Sequence, residues 1–176
     1  MTYPVFASGE VLNASDMNAV GLWLVKSQTV GTGVSSVTVT GAFSSTYDAY
    51  KVVYVGGVGS TALNITMTLG AANSNYFMSL PYVVYGTGTA SGTSLSGATG
   101  WSLMGTATTN SASLDVDLFN PFLSQYTRAL GLYVSDTEAG TYAGIHKTAS
   151  SYTAFTLTTS TGTLTGGTIS VYGYRK

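Results

Sequence analysis

Apolar and polar residues alternate strictly along much of this chain, and this alternation limits the fold more than any other feature. In the segment 63–69, Leu63, Ile65, Met67 and Leu69 are separated by polar residues. The same period recurs at 37–40, 114–118, 155–158 and 169–174. Because successive side chains of a β-strand point to opposite faces, these segments are predicted to be strands with one buried face.

Further strands are predicted at 22–30, 50–56, 76–85, 99–107, 127–134 and 141–148. Clusters of Gly, Ala, Ser and Asn at 56–59, 71–75 and 166–167 are typical of turns. The segment 86–100 (GTGTASGTSLSGATG) consists mainly of Gly, Ser and Thr and is predicted to be a long flexible loop. Short strands at this spacing favour an all-β fold, an antiparallel β-sandwich of jelly-roll type.

The chain carries few charges for its length. Lys+Arg number 6 and Asp+Glu number 7 among 176 residues, which is 7% and leaves a net charge of −1; about 25% is usual. Low charge removes self-repulsion, so we expect copies of the chain or other partners to cover much of the surface. The absence of a basic stripe argues against a nucleic-acid partner, and the absence of cysteine excludes a disulfide or Cys-zinc scaffold.

The first 25 residues are predicted to form an arm that precedes a β-domain at 26–176. Asn13 is suited to cap a short helix over 13–20, which Gly21 ends. A helix this short is not stable alone and must pack on the domain or on a partner. The apolar side chains predicted to dock the arm are Tyr3, Phe6, Val11, Leu12 and Met17.

The N-terminal sequence does not resemble a targeting or membrane segment. It lacks the cationic start of a secretory signal. The longest apolar run, Val20–Val25, is far shorter than the roughly 20 residues that span a bilayer. We therefore expect a soluble chain, made in a cytoplasm, with no membrane partner.

The sequence offers few groups for catalysis, and we expect a non-enzymatic protein without cofactor or metal. His146, the sole histidine, is predicted to be a surface strand residue rather than a general base. Asp115 and Asp117 share one strand face, where they are either paired carboxylates, calcium ligands or, as we favour, solvated outer residues. Asp136 and Glu138 are expected in an ordinary polar turn.

Tyrosine is abundant: the chain has 13, of which 12 are spread along the predicted β-domain. A tyrosine side chain buries a large area while its hydroxyl keeps one polar contact, which suits interfaces between subunits. Tyrosine also suits stacking on sugar rings, so a glycan-binding alternative stays open.

Three segments resemble parts of bacteriophage tail-fibre and minor tail proteins. Residues 6–18 (FASGEVLNASDMN) resemble the opening of many such chains, and 43–53 (FSSTYDAYKVV) resembles the entry into a small virion β-domain. Residues 163–175 (TLTGGTISVYGYR) are similar to the closing strand of that domain. The resemblance implies a virion structural protein with a jelly-roll-like domain, a homotrimer, and no catalytic residues.

The length before the β-domain bears on where such a protein would sit. Fibre proteins with this opening carry a longer shaft, whereas here the alternation begins after 20–30 residues. The resemblance is therefore compatible with a short tail appendage, a fibre tip or a capsid decoration protein on the exterior of the particle. A receptor- or glycan-binding adhesin module on a host-facing tip is the remaining alternative.

Overall fold

A computed structural model describes residues 21–175, and in this range every regular element is a β-strand. The twelve strands are β1 (Leu22–Thr29), β2 (Ser36–Val39), β3 (Ala49–Gly59), β4 (Leu63–Leu69), β5 (Tyr76–Val84), β6 (Ala90–Ala98), β7 (Trp101–Ala107), β8 (Ala112–Phe119), β9 (Thr127–Val134), β10 (Glu138–His146), β11 (Phe155–Thr159) and β12 (Leu164–Tyr174). The prediction of an all-β fold is confirmed. Strands β4 and β9 have the predicted bounds, and in β4 strict alternation marks both ends.

All strand pairs are antiparallel and form one connected sheet that branches at β8. One edge of β8 pairs with β3, whereas the other pairs with β7 at residues 112–114 and with β9 at 115–119. We call the run β1-β12-β3-β8-β9-β10-β5-β6 the main sheet and the run β7-β4-β11-β2 the side branch.

The buried face of the main sheet and one face of the side branch contribute to a single hydrophobic core. Phe43 links the two, since its ring lies 5.0 Å from Tyr50 of β3 and 5.7 Å from Phe155 of β11, centroid to centroid. Tyr76 of β5 and Trp101 of β7 make a similar edge contact at 5.1 Å. Each such side chain contributes about 1.5–3 kcal/mol when fully buried. We call this buried side of the main sheet its inner face and the opposite side its outer face.

Two glycine clusters that were predicted to be turns lie inside strands instead. Segment 56–59 belongs to β3 and 166–167 to β12, and Gly57 pairs with Gly166. The Tyr54 hydroxyl donates to the Gly166 carbonyl at 2.9 Å, and a Cβ on Gly57 would lie 2.7 Å from Cζ of Tyr54. Gly57 therefore makes room for the buried Tyr54 ring, and Gly166 supplies the carbonyl that accepts from its hydroxyl.

The prediction of a long flexible loop at 86–100 is also wrong. Only a short turn follows β5, and β6 (Ala90–Ala98) then pairs with β5 along most of its length. Gly and Ser have low strand propensity, but cross-strand hydrogen bonds to an ordered neighbour outweigh that preference. Most of β6 is exposed, so the hydrophobic pattern gave no sign of it.

The helix predicted at 13–20 and the docking residues Tyr3, Phe6, Val11, Leu12 and Met17 lie outside the described residues. Of the predicted arm, Leu22–Val25 are part of β1, which pairs with β12. Among residues 21–175 no helix has the length and hydropathy needed to cross a bilayer.

Candidate assembly interface and distal pocket

The outer face of the main sheet is unusually apolar for a surface. Of the ten large hydrophobic side chains that are exposed in the described chain, eight lie on strands and point to this face. They are Leu22, Leu24, Val55, Val83, Phe119, Leu130, Leu132 and Val134. Three come from β9, where Leu132 is 61% exposed. Contiguous exposed apolar surface of this kind marks interaction sites.

Strand β9 is apolar on both faces. Ala129 and Tyr133 are buried in the core, whereas Leu130, Leu132 and Val134 alternate with them on the outer face. A strand whose two alternating sets are both apolar is covered on both sides in most proteins. The sequence of 127–134 already contains both apolar sets, which indicate a strand that is covered on its two faces.

A small group of polar side chains interrupts the outer face beside β9. The Lys51 ammonium contacts the Asp115 carboxylate and lies 4.0 Å from that of Asp117. The Tyr174 hydroxyl donates to Asp117 at 2.6 Å. Burial, together with this negatively charged acceptor, raises the pKa of Tyr174 to about 12. Asp115 and Asp117 therefore lie on the outer face, as predicted, but they are paired with a cation rather than simply solvated.

A shallow groove lies on the same face where β9, β10 and β5 adjoin. Its volume is about 410 Å³, and its lining includes Phe77, Ala143, Ile145 and Arg128. Lys147 borders it, with its ammonium 4.1 Å from the centre of the Phe77 ring. The groove is largely apolar with a cationic margin, so it suits an inserted apolar side chain.

A second cavity, which we call the distal pocket, lies at one end of the strands. Its volume is about 260 Å³. Its lining is Ala62, Leu63, Asn64, Thr106, Ala107, Thr108, Tyr133, Ser135, Asp136, Thr137 and Ser160. Burial, assisted by the neighbouring Glu138 carboxylate, raises the pKa of Tyr133. The pocket is thus polar at its rim and neutral apart from Asp136.

The distal pocket and the start of β1 lie at opposite ends of the main sheet. At the pocket end, Leu164 pairs with Gly59, whose N–H donates to the carbonyl of Thr108 at 2.7 Å. At the other end of β12, Tyr174 pairs with Leu22. Ten residues separate Leu164 from Tyr174, or about 33 Å at the usual rise of a strand.

The prediction that His146 is a surface residue is wrong, because its side chain is fully buried. Its Nε2 lies 3.1 Å from the Ser74 carbonyl oxygen and its Nδ1 3.4 Å from the Tyr152 hydroxyl. Since a carbonyl only accepts, Nε2 carries the proton and Nδ1 accepts from Tyr152. The Tyr76 ring packs on the imidazole at 4.2 Å. Burial lowers the pKa of His146, although the hydrogen bond to Ser74 opposes this effect.

Several tyrosines serve the core rather than an interface. Tyr50, Tyr54, Tyr76, Tyr133 and Tyr142 are all buried. Among strand tyrosines, Tyr172 and Tyr174 share the outer face through their pairing with Leu24 and Leu22. Alternation cannot separate these groups, because the face that a tyrosine occupies depends on register.

Of the two acidic residues that were predicted to lie in a turn, Asp136 does so, whereas Glu138 is the first residue of β10. Asp136 lies in the turn between β9 and β10, where the Ser135 hydroxyl oxygen accepts hydrogen bonds from Thr137 N and Glu138 N at 3.2 and 3.1 Å. Within residues 21–175, no three His, Asp or Glu side chains are grouped closely enough to hold a metal ion.

Comparison of the chain with protein-family models, curated proteins and solved structures found no match.

Proposed function

We propose that this chain is a non-enzymatic structural protein of a bacteriophage virion that works as an assembly of identical copies, a trimer. The observation that carries the proposal is the apolar outer face of the main sheet. The resemblance of segments 6–18, 43–53 and 163–175 to tail-fibre and minor tail proteins supports the virion as its location. The particle exterior is the place where a neutral, hydroxyl-rich surface would be exposed.

The size of the outer face suits a stable contact between copies. Eight strands at a spacing of about 4.8 Å, each at least about 26 Å long, present roughly 1,000 Å². A standard stable interface buries about 800 Å² per partner. One face can therefore supply the area of a complete interface, which a trimer divides between two neighbouring copies.

Charge favours a second copy as the occupant of this face. The outer face carries the cations Lys51 and Arg128, with Lys147 at its margin, and the carboxylates Asp115 and Asp117, which gives a net charge of +1. Lys51 pairs with both carboxylates, so this group keeps one negative charge beside Arg128 on the next strand. Faces with so little net charge can meet with little repulsion.

The finer architecture belongs to the same proposal. We interpret the side branch as a second layer that covers the inner face of the main sheet, which gives a jelly-roll-like sandwich. The Phe43 contacts with Tyr50 and Phe155, and the Tyr76–Trp101 contact, support this interpretation because each joins the main sheet to the side branch. The outer face then stays free for other copies.

The oligomeric state of the purified full chain tests the interface. Light scattering after size exclusion should give three times the 18.1 kDa of one chain. Leu132→Asp places a charge in the middle of the apolar face and should give a single chain. Thr158→Asp, at an exposed position of β11, is the matched control and should stay trimeric. A monomeric wild-type chain, or equal masses for the two variants, would refute the interface.

The attachment to the particle is tested separately. In the proposal the N-terminal arm, with Tyr3, Phe6, Val11, Leu12 and Met17, docks on another virion protein of the tail. Deletion of residues 1–20 should abolish incorporation into particles while the trimer persists in solution. Normal copy number of the truncated chain in particles contradicts the docking role. Imaging of labelled particles distinguishes a tail appendage from the alternative, a capsid decoration protein.

A second candidate function is a receptor-binding adhesin. The observation that favours it is the position of the distal pocket, about 33 Å along β12 from the strand end at which the arm joins β1. If the arm docks on the particle, the distal pocket lies at the outward end.

A further inference from the structure

We propose that the distal pocket is a binding site for a neutral saccharide, one hexose ring or two at most. The inference names the ligand class for the second candidate function, the adhesin, and does not depend on the structural role. The pocket opens at the ends of β4, β7 and β9, where Leu63, Ala107 and Tyr133 provide a buried base. Polar side chains from the adjoining turns surround this base.

The walls of the pocket are held in place before any ligand arrives. The Tyr133 hydroxyl donates to Oδ1 of Asn64 at 3.4 Å, and Asn64 N donates to the Ser160 hydroxyl oxygen at 3.0 Å. On the neighbouring strand β7, Thr106 pairs with Asn64, and its Oγ1 donates to the Val134 carbonyl at 2.5 Å. A site whose side chains are already fixed loses less conformational entropy on binding.

The hydrogen-bonding groups of the rim match a vicinal diol. When the Asn64 amide oxygen accepts from Tyr133, the NH₂ group remains as a donor. The Asp136 carboxylate is exposed on the turn and accepts only. Neighbouring sugar hydroxyls can each donate to a carboxylate and accept from an amide, whereas the C–H groups of the ring can contact the exposed methyl group of Ala62. This is the combination of apolar base and few polar groups that small-molecule sites show.

Charge and size exclude other ligand classes. No Lys, Arg or His lines the pocket, so phosphate, sulfate and acidic sugars lack a cation to pair with. One carboxylate is too few for calcium, which takes six to eight oxygen ligands. At about 260 Å³ the pocket is also below the roughly 300–1,000 Å³ of sites for drug-sized molecules.

The test uses the full-length chain with neutral saccharides as probes. Saturation-transfer NMR with glucose, galactose and N-acetylglucosamine, followed by a glycan array, should show binding of at least one neutral sugar. Asp136→Ala, at an exposed turn position, should weaken that binding at least tenfold, because a hydrogen bond to a charged group is lost. Ala62→Trp, also exposed, should block the pocket. Thr158→Ala, outside the pocket, should bind like wild type.

Each outcome decides the proposal. Loss of binding in Asp136→Ala and Ala62→Trp, with Thr158→Ala unaffected, supports it. It is overturned if the wild-type chain binds no neutral saccharide, if it binds only acidic ones, or if both pocket variants bind normally. Light scattering on the same samples keeps this result separate from assembly, since none of these three positions lies on the outer face.

Discussion

Mild acid should destabilise the fold through a single side chain, His146. The imidazole is fully buried, and its neutral form satisfies both ring nitrogens through Ser74 and Tyr152. The rings packed around it are Tyr76 at 4.2 Å, Tyr152 at 5.6 Å and Trp101 at 6.4 Å. None of them carries a charge near neutral pH; burial raises the pKa of Tyr76 to about 12. Among residues 21–175, the hydrogen bonds and ring contacts of His146 supply no carboxylate to balance an imidazolium in this site.

The sign and the limit of the effect follow from proton linkage. Burial lowers the pKa of folded His146 below about 6.5, the value for an unfolded chain. The unfolded state then binds more protons between these two values, so stability is complete above about pH 7 and falls as the pH decreases through 6.5. One proton is involved, so the slope cannot exceed about 1.36 kcal/mol per pH unit. The loss ends at the folded pKa.

Urea unfolding, followed by Trp fluorescence between about pH 7.5 and pH 5, measures this slope before most carboxylates titrate. His146→Gln is the comparison, because its amide can still donate to the Ser74 carbonyl but does not titrate. We expect the free energy of unfolding of wild type to fall with acid and that of the variant to change much less. Equal slopes in the two proteins would show that His146 is not the responsible group, and higher wild-type stability at pH 5 would reverse the sign of the reasoning.

Three further perturbations test the packing. Leu157→Ala removes a fully buried side chain from β11 and should lower the free energy of unfolding in urea by about 2–5 kcal/mol. Thr158→Ala, at the exposed neighbouring position, should change it by less than about 0.5 kcal/mol. Similar losses in the two variants would contradict the assigned faces of β11. Gly105→Ala would place a Cβ 2.8 Å from Cβ of Leu114 at the branch of the sheet and should lower the free energy of unfolding by about 1–3 kcal/mol. Gly92→Ala, on the outermost strand β6, should lower it less, because the atom nearest to its added Cβ would be 3.3 Å away. Lys51→Met should lower the free energy of unfolding by about 1 kcal/mol or less because the ion pair is partly exposed, and 1 M salt should remove most of the difference between variant and wild type. A larger loss of stability that does not depend on salt would contradict this reasoning.

Local pattern predicted strands wherever one of their faces is covered by the core. The segment 63–69 is found at the predicted position because alternation and burial coincide there, and 127–134 is found there although both of its faces are apolar. The alternation of apolar and polar residues did not predict β6, because this strand has almost no buried side chain that would create an alternation. It also failed at Gly57 and Gly166, which serve the Tyr54 ring across two strands rather than turns of their own.

The candidate sites were less predictable than the strands, since each joins residues far apart in the sequence. Asn64, Thr106 and Asp136 meet at the distal pocket only because β4, β7 and β9 end together. The burial of His146 depends on Tyr76 and Trp101, which belong to other strands. The expected roles of Tyr3, Phe6, Val11, Leu12 and Met17 in docking stay predictions.

The sequence by itself determined an all-β chain with few charges, because strand periodicity and composition are properties of neighbouring residues and of totals. Only the tertiary structure decided which of two apolar sets in β9 enters the core and which forms the outer face. That choice follows from register: a strand has two equivalent faces until its neighbours pair with it, and a shift of one residue exchanges them. Pairing of β9 with β8 and β10 turns Ala129 and Tyr133 inward and leaves Leu130, Leu132 and Val134 on the surface that we propose for assembly.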